Sequence, residues 1–332
     1  MDLQETLIIT KREVEWLLDI QECMDAVAYA FKLHAEGKAL QPKILGLHVP
    51  HGGFHIKAGA MDLGRPYFVA KANANFPDNM KNNGLPTIQG VIIVCDAANG
   101  KLLALMDSIA ITVIRTGAAT GIAAKYLARK DAKVATICGC GNQGRVSLKA
   151  MMTVRPIERV YAYDIDQTQK NKFTKELTEA LNVQVIPVDD LGLAVRQSDI
   201  CVTCTTSKKP FLNKEDVKPG TFIAAVGADS EDKQELQTTL LASCKLVVDI
   251  LEQSATIGEL HHALEYGVVT RDHVHAELGE IIAGSKTGRT SDDEVIVFDS
   301  TGTALQDVAS AAIVYEKAIG AGIGMSVNLA NG

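Results

Sequence analysis

Apolar residues recur at helical spacing from Val14 through Leu17, Leu18, Met24, Val27 and Phe31, and the run stops at Gly37. Residues three and four apart share one helix face, and glycine ends helices by accepting the left-handed conformation. The pattern predicts a helix over 12–37 behind a short strand, LIIT. Between about 41 and 105 the period changes: ILGLHV, GGFHIKAGA, YFVAKANANF and GVIIVCD are short runs rich in Val, Ile and Phe, punctuated by Gly, Pro and Asn. They read as consecutive strands of a mixed or antiparallel sheet, with ANGK at 98–101 as a hairpin turn. ITVIRTGAATGIAAKYLA (111–128) returns to a helical pattern.

From 133 onward strands alternate with Gly-rich turns and helical stretches, the rhythm of a parallel sheet. The strands expected are KVATIC (133–138), RVYAYD (159–164), VQVIPV (183–188), DICVTC (199–204), TFIAAVG (221–227), KLVVDI (245–250) and EVIVFD (294–299). Seven apolar runs suit a doubly wound sheet, buried on both faces. The last stretch, TGTALQDVASAAIVYEKAIGAG, is a helix that returns to the first domain. The division expected is therefore 1–125 with 305–332 as one domain and 126–304 as the other.

A chain of 332 residues is long enough for about two domains. Forty acidic residues against 33 basic give a net charge of −7, the wrong sign for a nucleic-acid binder. No apolar stretch approaches the roughly 20 residues that span a bilayer, and MDLQETLIIT lacks the basic and apolar regions of a secretion signal. No membrane partner and a cytoplasmic location are expected. Seven cysteines cannot all pair within one chain and are read as buried thiols.

Gly139-Cys140-Gly141-Asn142-Gln143-Gly144 follows an expected strand and opens a helix, and Asp164 closes the next strand. In this setting the first glycine makes a tight turn and the second admits a pyrophosphate. The third packs helix on strand, and the carboxylate takes ribose hydroxyls. The cofactor expected is NAD, because Asp164 repels a ribose 2′-phosphate; the neighbouring Arg145 points the other way. Thr205, just past DICVTC, and Asp299, closing EVIVFD, complete the residues expected around the dinucleotide.

Lys71 interrupts the apolar strand YFVAKANANF, and Arg115 interrupts ITVIRTGAA. A buried cation is costly unless paired, so each either snorkels to solvent or faces a polar site. Two such interruptions in one domain favour a shared anionic ligand, such as a substrate carboxylate. Lys43 and Lys57 either join them or lie on the surface. Asp229 closes TFIAAVGAD at the carboxyl end of a parallel strand, where open α/β sheets put ligand-binding residues. For Asp299 the alternative is capping the following helix. The eight histidines show no trusted metal spacing, and Cys201 and Cys204 lie on a strand that points them to different faces. No metal site is expected.

GRTSDDEVIVFDSTGTALQDVA (288–309), ICGCGNQG (137–144), TVIRTGAATGIAAKYLA (112–128) and the lysine-bearing strand before NFPDN together resemble the ornithine cyclodeaminase/mu-crystallin family across nearly the whole chain. The resemblance implies a Rossmann domain set between an N-terminal substrate-binding and dimerisation domain and a C-terminal helix that rejoins it, in a homodimer. It implies that Lys71 is the active-site lysine and Arg115 the carboxylate-binding arginine, with Lys43 near a second carboxylate ligand. Asp229 then lies beside the substrate amine. The family's cyclodeaminases tend to carry a glutamate where this chain reads FHIKAGA, with Lys57 the only charged residue.

The function expected is NAD-dependent interconversion of a small L-amino acid and its imino or keto acid by hydride transfer at the α-carbon. Lys71 and Asp229 are the expected catalytic residues, and Arg115, Lys43 and Lys57 hold the substrate. The alternatives are a cyclodeaminase using NAD catalytically and a non-catalytic NAD(P)H-binding protein.

Overall fold

In a computed structural model, which describes residues 5–329, the chain divides into two compact units, Met1–Arg115 with Thr303–Gly332 and Thr116–Gly302. The first unit opens with β1 (Glu5–Ile9), α1 (Lys11–Leu17) and α2 (Ile20–Ala35). It continues through β2 (Lys43–Val49), β3 (Gly52–Asp62), β4 (Pro66–Asn75), α3 (Asn79–Asn83), β5 (Ile88–Asp96) and β6 (Leu102–Asp107). The division falls within α4 (Ser108–Leu127).

The second unit then runs β7 (Val134–Cys138), α5 (Asn142–Met152), β8 (Arg159–Tyr163), α6 (Gln167–Leu181), β9 (Gln184–Pro187), α7 (Leu191–Gln197) and β10 (Ile200–Thr203). It is completed by β11 (Phe222–Ala225), α8 (Thr238–Leu241), β12 (Lys245–Val248), α9 (Leu251–Ile257), α10 (Glu259–Glu265), β13 (Val274–Glu277), α11 (Leu278–Ala283) and β14 (Ile296–Asp299). The chain returns to the first unit with α12 (Ala304–Ala321) and β15 (Met325–Asn328).

Where one helix was expected over 12–37 there are two. The backbone is extended at Leu18 and Asp19, and the Asp19 carboxylate accepts hydrogen bonds from the Gln21 and Glu22 N–H groups at 2.8 and 3.4 Å. An aspartate that satisfies the free donors of a new first turn competes with continuing the old helix. The apolar positions stay buried across the break, Val14 and Leu17 in α1 and Val27 and Phe31 in α2.

The first sheet has the order β15-β1-β6-β5-β4-β3-β2. It is antiparallel except where β1 runs parallel to β6, so the mixed sheet expected from the sequence is found, with the turn at Gly100 (φ +77°) joining β5 to β6. Alternation sorts its residues. Val69, Lys71, Ile92 and Met106 lie on a buried face, while Leu45, Leu47, Phe54, Phe68 and Val91 lie on the other and remain partly exposed. α12 packs against β3, β4 and β5 on the buried side. Gly59 lets it approach, since a Cβ there would meet the Ala304 Cβ at 3.2 Å.

The second sheet has eight parallel strands in the order β13-β12-β14-β11-β10-β7-β8-β9. Seven are those expected; the eighth, β13 (VHAE), is half polar, only partly buried, and carries no apolar run. The chain builds outward from β7 to β8 and β9 and then crosses back to β10 on the other side, so β7 and β10 flank the topological switch point where such sheets bind ligands. Ile223, Leu246, Val297 and Leu260 anchor the core on one face.

Asp19→Ala is expected to cost about 1 kcal/mol of stability by removing the α2 cap, read as a lowered urea midpoint with an unchanged m-value.

Candidate active site

In the first unit, the β3–β4 register sets Lys57 directly opposite Lys71 on the buried face. α12 brings Asp307 beneath them. The Lys71 Nζ lies 2.8 Å from both oxygens of the Asp307 carboxylate. Arg115, from the first half of α4, donates through Nε to Asp307 Oδ1 at 3.1 Å and through Nη1 to Gln306 Oε1 at 2.7 Å. Lys71, Arg115 and Asp307 are 3%, 5% and 0% exposed, so neither cation snorkels. Each is held in the interior by a shared carboxylate.

Two cations on one carboxylate leave a positive excess, and the electrostatics follow. Burial and the nearby Arg115 guanidinium push the Lys71 ammonium down to about 7, against the pull of Asp307, with Lys57 adding to the depression. Burial raises the Asp307 carboxyl, but Lys71 and Arg115 outweigh it and hold the group below its usual range. The Nε2 of Gln306 and the Oγ1 of Thr112, one helical turn before Arg115, are buried without a hydrogen-bond partner. These are spare polar groups beside an arginine, the chemistry that takes a planar carboxylate.

Lys57 is buried with this cluster. Lys43 is not: it pairs opposite Ala58, one register position away, and is exposed. A one-residue step in a strand turns a side chain to the other face, and that separates Lys43 from the face that carries Lys71. Asp307 and Gln306 were missed in the sequence, although an aspartate inside ALQDVASAAIV interrupts an apolar helix just as Arg115 does.

In the second unit, the Gly-rich turn leaves β7 at the switch point. Gly139 has φ +105°, and a Cβ there would lie 2.8 Å from the Cys204 carbonyl; one at Gly144 would lie 2.3 Å from the Gly139 carbonyl. Both glycines are required by the fold itself. At Gly141 nothing stands within 4 Å of the missing Cβ, so that glycine keeps open space beside the turn. No side chain caps α5, whose first residues are Asn142 and Gln143, and the Gln143 Oε1 is buried without a partner. An open cradle at an uncapped helix N-terminus fits a dinucleotide pyrophosphate.

Asp164 immediately follows β8, and its carboxylate accepts from the N–H groups of Cys140 and Asp166 at 2.8 and 2.9 Å, fixing it against the turn. Arg145 is tied down elsewhere. It donates to Glu176 at 3.1 and 3.2 Å and to the Cys140 carbonyl, and lies over the Phe173 ring at 5.4 Å. Those partners weaken the case for Arg145 as a phosphate ligand.

The remaining residues fall differently. Thr205 follows β10 and donates through N and Oγ1 to Glu235 Oε1 at 2.6 and 2.7 Å. Asp229 is exposed, with Lys233 Nζ at 2.6 Å. Asp299, expected at the dinucleotide, is fully buried, and its oxygens accept from the Glu259 and Leu260 N–H groups at 3.1 and 3.0 Å. It caps α10, not the helix that follows it, and burial pushes its carboxyl up to about 7.

A parallel sheet with an open glycine cradle at its switch point defines an α/β protein of the dinucleotide-binding class, and the other unit carries a buried cluster with more cations than carboxylates. Residues 4–322 match the model of the ornithine cyclodeaminase/mu-crystallin family, and the chain belongs to that family. It is similar to an archaeal alanine dehydrogenase dimer with bound NAD, at TM-score 0.93 and 42% identity over 98% of this chain and 99% of that one. A second likeness is to Thermococcus litoralis Δ1-pyrroline-2-carboxylate reductase in complex with NADH and L-proline, at TM-score 0.92 and 34% identity over 97% and 100%. A third is to the iminosuccinate reductase of Paracoccus denitrificans with NAD+, at TM-score 0.90 and 31% identity over 98% and 100%.

Asp307→Asn leaves two buried cations without a counter-charge and is expected to destabilise the first unit by about 3 kcal/mol. Urea unfolding followed by circular dichroism measures it, and a loss under 1 kcal/mol would mean that water, not Asp307, solvates the pair.

Proposed function

We propose that this chain is an NAD-dependent oxidoreductase that interconverts a small L-amino acid and its imino or keto acid. The observation that carries this reading is the pair Lys71 and Arg115 buried on the single carboxylate of Asp307, an excess charge that a substrate carboxylate neutralises. When bound, the nicotinamide supplies or accepts the hydride at the α-carbon. Arg115, with Gln306 beside it, grips the carboxylate. Lys71 holds or moves the proton at the nitrogen, its affinity for that proton lowered toward neutrality. Asp229 orders the amine or a water, and Asp164 selects NAD over NADP.

A diamine substrate suits this site poorly. Lys57 stands on β3 opposite Lys71, where a distal ammonium would need an acid, and Asp229 alone does not serve two amines. The substrate is therefore a small acid whose side chain is neutral or carries a second carboxylate. We also place a second copy of the chain against the exposed apolar face of the first sheet, where Leu45, Leu47 and Phe54 are 52%, 50% and 42% exposed, to form a homodimer. No helix among the described residues is long and apolar enough to cross a membrane. All seven cysteines are free, which suits the cytoplasm.

The deciding assay is NADH oxidation with pyruvate plus ammonia, oxaloacetate plus ammonia, and Δ1-pyrroline-2-carboxylate, alongside ornithine with NAD. At least one imine should turn over, and efficient proline formation from ornithine would restore the cyclodeaminase reading. NADH should bind about tenfold more tightly than NADPH, a difference of ~1.4 kcal/mol, and Arg115→Ala should lower kcat/KM about 100-fold, the worth of one or two charge-assisted hydrogen bonds. Because Lys71 carries its proton below about pH 7 and loses it above, kcat/KM for imine reduction should fall as pH rises through that value. Lys71→Met should remove that limb, and a profile flat from pH 6 to 8 in the native enzyme would exclude Lys71 as the proton donor. Leu47→Glu should convert the dimer to a monomer in sedimentation velocity.

A further inference from the structure

Three buried carboxylates of the second unit form a directional series in which each holds the backbone of the next. Asp299 accepts from the N–H groups of Glu259 and Leu260 at 3.1 and 3.0 Å. Glu259 accepts from those of Glu235 and Leu236 at 2.7 and 3.1 Å. All three acids are 0% exposed. The series ends at Glu235, whose carboxylate grips two separate loops. Its Oε1 accepts from the N–H and hydroxyl of Thr205 at 2.6 and 2.7 Å, and its Oε2 accepts from the N–H of Gly227 at 2.9 Å.

Those loops leave adjacent strands. β10 and β11 pair in parallel, and their backbone bonding continues only to the 2.8 Å contact from the Val226 N–H to the Thr203 carbonyl. Past it Glu235 joins the two segments, through Thr205 on one side and Gly227 on the other. The first abuts the cofactor turn, since a Cβ on Gly139 would lie 2.8 Å from the Cys204 carbonyl. The second leads in two residues to Asp229. Gly227 is shaped for the bridge: a Cβ there would lie 2.4 Å from the Glu235 carboxyl carbon.

We infer that Glu235 is a positioning residue that ties the Thr205 segment beside the dinucleotide turn to the Gly227–Asp229 segment, so that cofactor affinity and turnover depend on a side chain that touches neither cofactor nor substrate. The inference rests on the functional reading above. A carboxylate is required because all three partners donate. A glutamine has one acceptor oxygen, and its amide group would face an N–H on the other side. Keeping the two bonds to Thr205 is the cheaper choice, so Glu235→Gln releases Gly227 alone, whereas Glu235→Ala releases both segments.

The experiment compares wild type, Glu235→Gln and Glu235→Ala by hydrogen-exchange mass spectrometry, NADH fluorescence titration and steady-state kinetics. In Glu235→Gln, exchange should quicken in peptides over 226–229 but not over 204–207. NADH affinity should stay within about threefold of wild type while kcat falls at least about tenfold, the effect of one lost charge-assisted bond. In Glu235→Ala both peptides should lose protection and NADH should bind at least about tenfold more weakly. Unchanged exchange at both segments, or native kcat in a folded Glu235→Gln enzyme, would overturn the proposal. If Glu235→Ala does not fold, Glu235→Gln decides by the same split. A wild-type chain that bound no NADH would sink the functional reading, and the exchange pattern would still decide whether Glu235 bridges the loops.

Discussion

One carboxylate sets the terms for the first unit. Asp307, without solvent exposure, carries the charge that allows Lys71 and Arg115 to lie in an apolar interior. Removing it leaves both cations uncompensated in a medium where an unpaired charge costs several kcal/mol. The site is thereby built from three separated pieces of chain: β4, α4 and α12. The arrangement is stable enough to keep and still short of one negative charge, which is the property a carboxylate-binding site needs.

The second unit solves its problem differently. Its cradle is made of backbone, with Gly139 and Gly144 admitting contacts no side chain allows and Gly141 leaving space. Side chains act there mainly by holding backbone in place, Asp164 on the turn and Glu235 on the loops past β10 and β11. In the function proposed above, N–H groups and a helix end meet the ligand's anionic middle, while Asp164 adds the charge that selects against a 2′-phosphate.

What could be read in the sequence follows from contrast. Lys71 and Arg115 stand out because each breaks an apolar run, and the cofactor turn stands out because its glycines fall between a strand and a helix. The strands of the parallel sheet were legible for the same reason, except β13, where VHAE offers no run to detect. Asp307 was equally conspicuous in principle and was passed over. Glu235 was not conspicuous at all: it lies in SEDKQELQ, where an acid looks solvated, and only the tertiary fold buries it. The break at Asp19 and the role of Asp299 were hidden in another way, because a capping aspartate is recognised by the N–H groups it meets, and those belong to conformations the sequence pattern does not display.

The order of the chain carries a consequence for synthesis. The second unit, Thr116–Gly302, falls in the chain between the two segments of the first, whose closing helix begins only at Ala304. On a ribosome the strand bearing Lys71 and the helix bearing Arg115 emerge long before Asp307 does. The inserted unit has its full sequence available first and can close on its own contacts, while the nascent first unit waits with two cations that favour water over its own core. Their paired burial on Asp307 therefore waits until the whole inserted unit has been translated.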